Sequence, residues 1–438
     1  MTHSSSIRYL FSPLLVFLYS CLPVFLSSCL LVFLSSCLLV FLFPCKTVAQ
    51  AYLNTRDFAF SQHNFVDSIP IEIEDGKIYL RIQLMTPDQK GQGRVCRFNL
   101  DTGAGMGTLY ADTPIRPVRF LGHGKMVDAT GRHDTVSVVA MPDFRLGNTE
   151  VKHYPVHYIR RPDAHANVDG LIGFDLFARG LAAKIDVRNR VLIITDRKKY
   201  FRNENGYELK YTLQSSVPHI QLTFPFSLPK GKQGRLSTDD AVFDTGSRSL
   251  YAMNLQRYHR ILSQDSLFAT QVQATTTGST RIGSLATEQN AEVAILRLQH
   301  LCWGQFSFDD VHANTTNGLS CLGADVLRFG NVIINPFRRT LTFQPFQPLQ
   351  TSVVVNNQLP SIYYVEDPLH RPVVGLVLPG SEEERQGFTP GDVILSINNK
   401  TTPTFTAFRQ YPFAKGQTYT FFLRSASGQT KTIRKRMQ

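Results

Sequence analysis

The stretch RVCRFNLDTGAGMGTLYAD, residues 94–112, carries an acid in an unusual setting. Phe98, Leu100, Leu109 and Tyr110 belong to a core, and between them stands Asp101, followed by Thr102 and Gly103. A lone buried carboxylate costs several kcal/mol unless it is hydrogen-bonded, paired or kept neutral. Asp and Gly are also the commonest turn formers. A single Asp-Thr-Gly therefore reads equally as a turn or as an acid held in place for chemistry.

An internal repeat decides between the two. The stretch LSTDDAVFDTGSRSLYA (236–252) places Asp244 at 143 residues beyond Asp101. In each half an alternating apolar segment, IYLRIQL (78–84) or HIQLTFPF (219–226), reads as a strand. Each then passes through a Gly/Lys turn, DQKGQGR (88–94) or PKGKQGR (229–235), into a second strand that ends in Asp-Thr-Gly and continues to Leu-Tyr-Ala. Further on, DGLIGFDLFARGLAAKIDVRNRVLIIT (169–195) parallels NGLSCLGADVLRFGNVIINPFRRTLTF (317–343). Both carry an apolar run into a glycine (Gly173, Gly323), an aspartate two residues later (Asp175, Asp325), a short helical turn and two strands joined by a basic corner. Average composition produces one Asp-Thr-Gly in about a tenth of chains this long, and two in matching contexts in fewer than about one in a hundred.

Two such aspartates have a chemical use together. Peptide hydrolysis without a metal or a covalent intermediate needs a base for water and an acid for the carbonyl oxygen and leaving amine. Two carboxylates a few Å apart do both, because they cannot both ionise and share one proton. Two half-sites meeting at a pseudo-two-fold axis supply the pair from one chain. Gly103 and Gly246 allow close backbone approach, and the Thr102 and Thr245 hydroxyls can tie the loops together.

With Leu-Ile-Gly (171–173) and Cys-Leu-Gly (321–323) downstream, these residues resemble aspartic peptidases of the retropepsin/pepsin clan, in particular bacterial retropepsin-like proteases with two lobes and a PDZ domain. The resemblance covers about residues 66–438. It implies a mainly β fold, with two pseudo-symmetric β-barrel lobes and an α+β PDZ domain. It also implies a catalytic dyad of Asp101 and Asp244, loop support from Thr102, Gly103, Thr245, Gly246 and Ser247, and neither cofactor nor metal. Asp175 and Asp325 read as helix caps. The first loop continues with Ala104 and the second with Ser247, so a Ser247 hydroxyl bonded to one aspartate would make the pair inequivalent. Substrate-covering hairpins are expected in KMVDATGRHDT (125–135) and QATTTGSTRIG (273–283), neither of which carries the tyrosine of pepsin-like flaps.

After the Pro- and Gln-rich stretch ending near 350, VVGLVLPGSEEERQGFTPGDVILSIN (373–398) runs strand, charged helix, Gly391-Asp392, strand. That order resembles a PDZ domain of the bacterial protease type, which binds an extended peptide as an added strand. The loop that would hold a peptide carboxylate, within 359–367, carries no legible signature.

Composition sets the remaining bounds. The 438 residues carry a net charge of +12, 43% apolar and 18% charged residues, which describes a multi-domain globular chain. No zinc-finger spacing or RNA-binding signature accompanies the charge, so no nucleic-acid partner is expected. Four octamers from LLVFLYSC to LLVFLFPC end at Cys21, Cys29, Cys37 and Cys45, and the run from Tyr9 to Pro44 holds no charge. With Arg8 before it and TVAQA after it, this is the layout of a secretory signal peptide, and uncleaved it is long enough to span a bilayer. Export to the periplasm, cell envelope or exterior follows, with a membrane or lipid anchor left open. Cys96, Cys302 and Cys321 remain, read as buried thiols with a Cys302–Cys321 bridge as the alternative. His153 and His157 stand four apart, but Pro155 between them argues for strand rather than a metal-binding helix.

The expected organisation is a signal or membrane segment (1–51), two lobes (52–200 and 201–348) and a PDZ domain (349–438). The expected function is an aspartic endopeptidase acting on peptides or proteins, with a monomer sufficient for the site and a PDZ peptide ligand possible in principle. The alternative is an exported, catalytically silent peptide-binding scaffold.

Overall fold

Alternation of apolar and polar residues builds the first hairpin. Ile78, Leu80, Ile82 and Leu84 are buried while Arg81, Gln83 and Met85 are exposed, so strand Lys77–Pro87 shows one face to the core. It pairs antiparallel with Val66–Glu74 around Asp75 and Gly76, both at positive φ, as a two-residue hairpin turn requires. The second half repeats the device: Tyr207–Gln214 pairs with Val217–Phe226 around Ser215 and Ser216, also at positive φ. These features come from a computed structural model, which describes residues 58–87, 93–162, 165, 167–226, 235–288 and 290–437. The N-terminal segment with its octamers and most of the two Gly/Lys turns lie outside the described residues.

The chain is mainly β with barrel-like sheets. Six strands drawn from both halves form one antiparallel sheet, in the order Val66–Glu74, Val191–Thr195, Ala182–Asp186, Gly330–Asn335, Thr340–Pro345 and Tyr207–Gln214. Its middle seam pairs Lys184 with Ile333, one strand from each half, so the order is the same read from either side. Above this sheet each half folds around aromatic residues. Phe144 and Tyr154 meet edge-on in the first, while Trp303 stands edge-on to Phe243 and close to Phe343 in the second. All belong to one continuous buried cluster, the form of core that large apolar side chains stabilise most.

Strand Ser352–Val354 still belongs to the second half, pairing in parallel with Ser307–Asp309. A smaller unit follows, with strands Ile362–Glu366, Pro372–Val377, Val393–Ile397, Thr418–Arg424 and Thr430–Arg436 in sheet order and Lys400–Thr401 beside the third. It has its own core of Val374, Phe388, Ile394, Phe421 and Leu423. Two short helices join it, Glu382–Arg385, capped by the Ser381 hydroxyl, and Phe405–Arg409, capped by Thr404.

Cys96, Cys302 and Cys321 are free thiols, with Cys96 and Cys321 buried. His157 lies in a strand and His153 in the turn before it, facing Asp143 at 3.3 Å. Among the described residues no helix is long and apolar enough to cross a membrane.

Candidate functional site

The two halves place their aspartates by the same local construction. Strand Gly93–Asp101 runs parallel to Gly170–Gly173, with Asp101 opposite Gly173, while Gly107–Tyr110 closes antiparallel on the same short strand. In the second half Arg235–Asp244 runs parallel to Cys321–Gly323, with Asp244 opposite Gly323, and Tyr251–Asn254 closes in the same way. Each aspartate ends its strand where the chain must turn. The turns close identically, Ala104 N–H donating to Asp101 O and Ser247 N–H to Asp244 O, both at 3.2 Å.

The loops are tied across the axis by four reciprocal bonds. Thr102 N–H donates to the Thr245 hydroxyl and Thr245 N–H to the Thr102 hydroxyl, each at 3.0 Å. The Thr102 hydroxyl donates to Phe243 O and the Thr245 hydroxyl to Leu100 O, each at 2.7 Å. Both threonines are fully buried, so every hydrogen-bonding group here needs a partner inside the protein. This lattice brings the carboxyls together. A Cβ on Gly103 would stand 2.5 Å from Asp244 Cγ, and one on Gly246 would stand 2.5 Å from Asp101 Cγ. No side chain fits at either place, which is the physical demand for glycine.

Asp101 Oδ1 accepts from Gly103 N–H at 3.0 Å, and Asp244 Oδ1 accepts from Gly246 N–H at 2.8 Å. Burial, then the charge of Asp244, raises the Asp101 carboxyl well above its usual range. A pair in this arrangement takes up a proton as a unit. Both residues are part-buried rather than sealed in the core.

Ser247 departs from expectation. Its backbone N–H donates to Asp244 Oδ1 at 3.2 Å, but its hydroxyl is turned to the Ser249 hydroxyl at 3.0 Å and to Cys321 Sγ at 3.7 Å. Those two polar neighbours, rather than a carboxyl, are the hydroxyl's partners among the described residues. The helix-cap reading of Asp175 and Asp325 is also corrected. The cap positions belong to Phe174 and Gly323, and each aspartate sits inside the first turn, where an acid complements the helix dipole. Asp175 is instead a part-buried acid that accepts a 2.7 Å bond from the Tyr154 hydroxyl. Burial raises its carboxyl to about 7 against the opposing effect of that bond. Asp325 pairs with Arg328 at 3.1 Å nearer the surface.

The two hairpins expected around 125–135 and 273–283 are likewise unequal. The first spans Arg119–Val127 and His133–Ala140, with the expected 125–135 at its tip. The second spans Val272–Gly278 and Ala291–Trp303, so 273–283 supplies mostly its outgoing arm. Its tip lies further on, where Glu288 N–H donates to Arg281 O and Gly283 N–H to Ala286 O. The two tips meet through Asp128. Its Oδ1 holds its own turn through Thr130 N–H at 2.9 Å, and its Oδ2 accepts Leu285 and Ala286 N–H of the other hairpin at 3.0 and 3.2 Å. The second hairpin also touches the smaller unit, Ser279 N–H donating to Gly375 O at 2.9 Å and Ile282 packing on its core.

Sequence reasoning missed Asp128, Tyr154 and Lys77. Lys77 opens the strand after the first hairpin turn, near enough for both dyad aspartates to influence its ammonium group, and burial followed by the Arg248 charge lowers it to about 8. The internal repeat holds the signal that would have found it: Lys77 follows its turn as Val217 follows the other, so a charge stands where the second copy is apolar.

No protein-family model matches the chain, and no curated protein does. Solved structures similar to it include an aspartic proteinase from Irpex lacteus, 13% identical, covering 66% of this chain and 100% of that one at a TM-score of 0.41. Basic 7S globulin from soybean is 11% identical over 64% of this chain and 94% of its own at 0.35. Conglutin gamma from lupine seeds is 13% identical over 64% and 95% at 0.36.

Proposed function

We propose that the protein is an exported aspartic-type endopeptidase whose dyad is Asp101 and Asp244. The observation that carries this reading is that each aspartate's carboxyl packs against the glycine of the other, reciprocally bonded Asp-Thr-Gly loop. In the monoprotonated pair the ionised carboxylate takes a proton from one water. That water's oxygen attacks the scissile carbonyl carbon while the other carboxyl donates its proton to the carbonyl oxygen. Collapse of the tetrahedral intermediate breaks the C–N bond, with the departing amine taking a proton from the dyad. Thr102, Thr245, Gly103, Gly246 and the Ser247 backbone position the carboxyls, and neither metal nor cofactor has a role. The substrate lies extended between the dyad and the hairpin tips. One chain supplies both half-sites, so a monomer suffices. The smaller unit serves as a PDZ-type module that docks or admits peptides, and the charge-free N-terminal run directs export.

The test is a diverse peptide library incubated with the purified protein from acid to neutral pH, beside Asp101→Asn and Asp244→Asn, with products read by mass spectrometry. Cleavage by the wild type alone is the expected result. Equal cleavage by either variant would remove the dyad from the reaction. Peptides held but never cut, at any pH, would favour a binding scaffold.

A second reading adds gating to the same chemistry. It is favoured by the hairpin segment 279–288, which is bonded at once to Asp128 of the first lobe and to Gly375 of the smaller unit. If those contacts hold the cleft shut, Asp128→Ala raises the cleavage rate.

A further inference from the structure

Beside the dyad lies a cavity of about 140 Å³, walled by residues that include Lys77, Asn99 and Arg248 from the two lobes and Arg409 from the smaller unit. Glu74 and Asp75 also face it, but Glu74 is held by Arg97 at 2.6 Å and Asp75 by Arg248 at 3.1 Å. Lys77 has no ion-pair partner within contact distance among the described residues, and only the dyad lies near enough to act as its counter-ion. A dyad that shares one proton carries a single negative charge. Lys77 thus faces this space with no acid of the wall bonded to it, while Glu74 and Asp75 are already held by arginines. An ammonium group in such a space is stabilised by any carboxylate that enters and displaces its water.

The pseudo-symmetry makes the feature one-sided. Lys77 and Val217 occupy matching places after the two hairpin turns. Arg248 and Gly105 occupy matching places in the two aspartate loops, each four residues past its aspartate. The hairpin turns meet these loops crosswise, Asp75 pairing with Arg248 while Ser215 O lies against Gly105. Where one side of the axis offers Lys77 and Arg248, the other offers Val217, packed with Val242, Ala252 and Cys321. A symmetric structural need would have put the same chemistry on both sides.

We propose that the cavity bounded by Lys77, Arg248 and Arg409 is a subsite for an acidic side chain, so that the cleft selects peptides carrying Asp or Glu on one particular side of the dyad. The proposal rests on the cleft being a peptide site, as argued above. Arg409 comes from the smaller unit, so selectivity is shared between that unit and the lobes.

A peptide cleaved in the library screen is remade with Glu, Gln or Lys at each position flanking the scissile bond. The ratio of kcat/KM for Glu over Gln is then measured for wild type, Lys77→Met, Lys77→Arg and Arg409→Met. A charge-assisted bond in a partly buried site corresponds to a ratio of about tenfold or more at one position. Lys77→Met should bring that ratio close to one, Lys77→Arg should keep most of it, and Arg409→Met should reduce it. If the protein cuts nothing, the same peptides are read by fluorescence anisotropy. A Glu preference in binding that Lys77→Met abolishes upholds the subsite even where the peptidase reading fails. No acidic preference in wild type, or one undiminished in Lys77→Met, overturns it. Should Lys77→Met not fold, Lys77→Arg and Arg409→Met decide: a ratio unchanged by Arg409→Met overturns the shared subsite.

Discussion

Around Asp101 the carboxylate strand lies parallel to Gly170–Gly173, the loop closes through Ala104, and Thr102 reaches across the axis; around Asp244 the same bonds recur with Cys321–Gly323, Ser247 and Thr245. One hairpin away the halves part company. Lys77 has Val217 as its counterpart, Asp175 with its Tyr154 bond has Asp325 with its ion pair to Arg328, and a simple hairpin tip has a longer one. The difference has a geometric origin. Groups that touch across the axis are partners of their own repeat, so a change in one strands a buried donor or acceptor in the other. Groups further out touch different neighbours, and nothing forces them to remain alike.

The strongest way to break this comparison is at the dyad. On the proposed mechanism Asp101→Asn and Asp244→Asn should each lower kcat/KM by about 10³-fold or more with the fold kept, since the reaction would use both as an acid–base pair. Unequal losses would mean the carboxyls are not one unit.

Next in size are the threonines. Thr102→Val and Thr245→Val each remove two buried hydrogen bonds and orphan an N–H, an expected cost of about 2–4 kcal/mol. Chemical denaturation should give equal values for both within about 0.5 kcal/mol if the central symmetry holds.

Asp175 and Asp325 sharpen the contrast between the halves. The folded protein holds the Asp175 carboxyl at about 7 against an ordinary 3.8, so it binds more protons than the unfolded chain in that interval and loses stability as pH rises through it. Asp175→Asn removes that dependence. Relative to wild type it should gain about 2 kcal/mol between pH 4 and pH 7.5 in parallel urea titrations, allowing one pKa unit 1.36 kcal/mol and discounting for relaxation. Asp325→Asn should change far less with pH. A flat difference for Asp175→Asn would show that the acid is ionised in the folded protein.

The smallest effect concerns Lys77. Its folded pKa of about 8 against an ordinary 10.5 means its charge weighs fully on the fold below pH 8 and ceases to as pH rises toward 10.5. Lys77→Met should therefore be more stable than wild type at pH 6.5, by about 1–2 kcal/mol, with the advantage shrinking at pH 9.5. Val217→Met, at the matching place, should show no such trend.

The same division marks how far the sequence could be read. Asp101, Asp244 and their Thr-Gly followers were legible because the chain states them twice, and the strands because apolar residues alternate through 78–84 and 219–226. The mainly β architecture follows from those patterns. Asp128 was not legible, because its partners Leu285 and Ala286 lie 157 and 158 residues away and are backbone groups, which no side-chain pattern announces. Tyr154 reaches Asp175 across 21 residues through a loop and a strand, so spacing alone suggested a cap. The Ser247 hydroxyl had two polar rivals for its attention, Ser249 and Cys321, and only the folded chain ranks them. Lys77 could have been found by reading the two copies for their differences instead of their likeness.

The most direct test of the account is a double-mutant cycle on one cleaved peptide, with kcat/KM measured for wild type, Asp101→Asn, Asp244→Asn and the double variant. If the two carboxyls act as one acid–base unit, each single variant loses nearly all activity and the double loses no more than the worse single. Losses that multiply, or appreciable cleavage by either single variant, would contradict it.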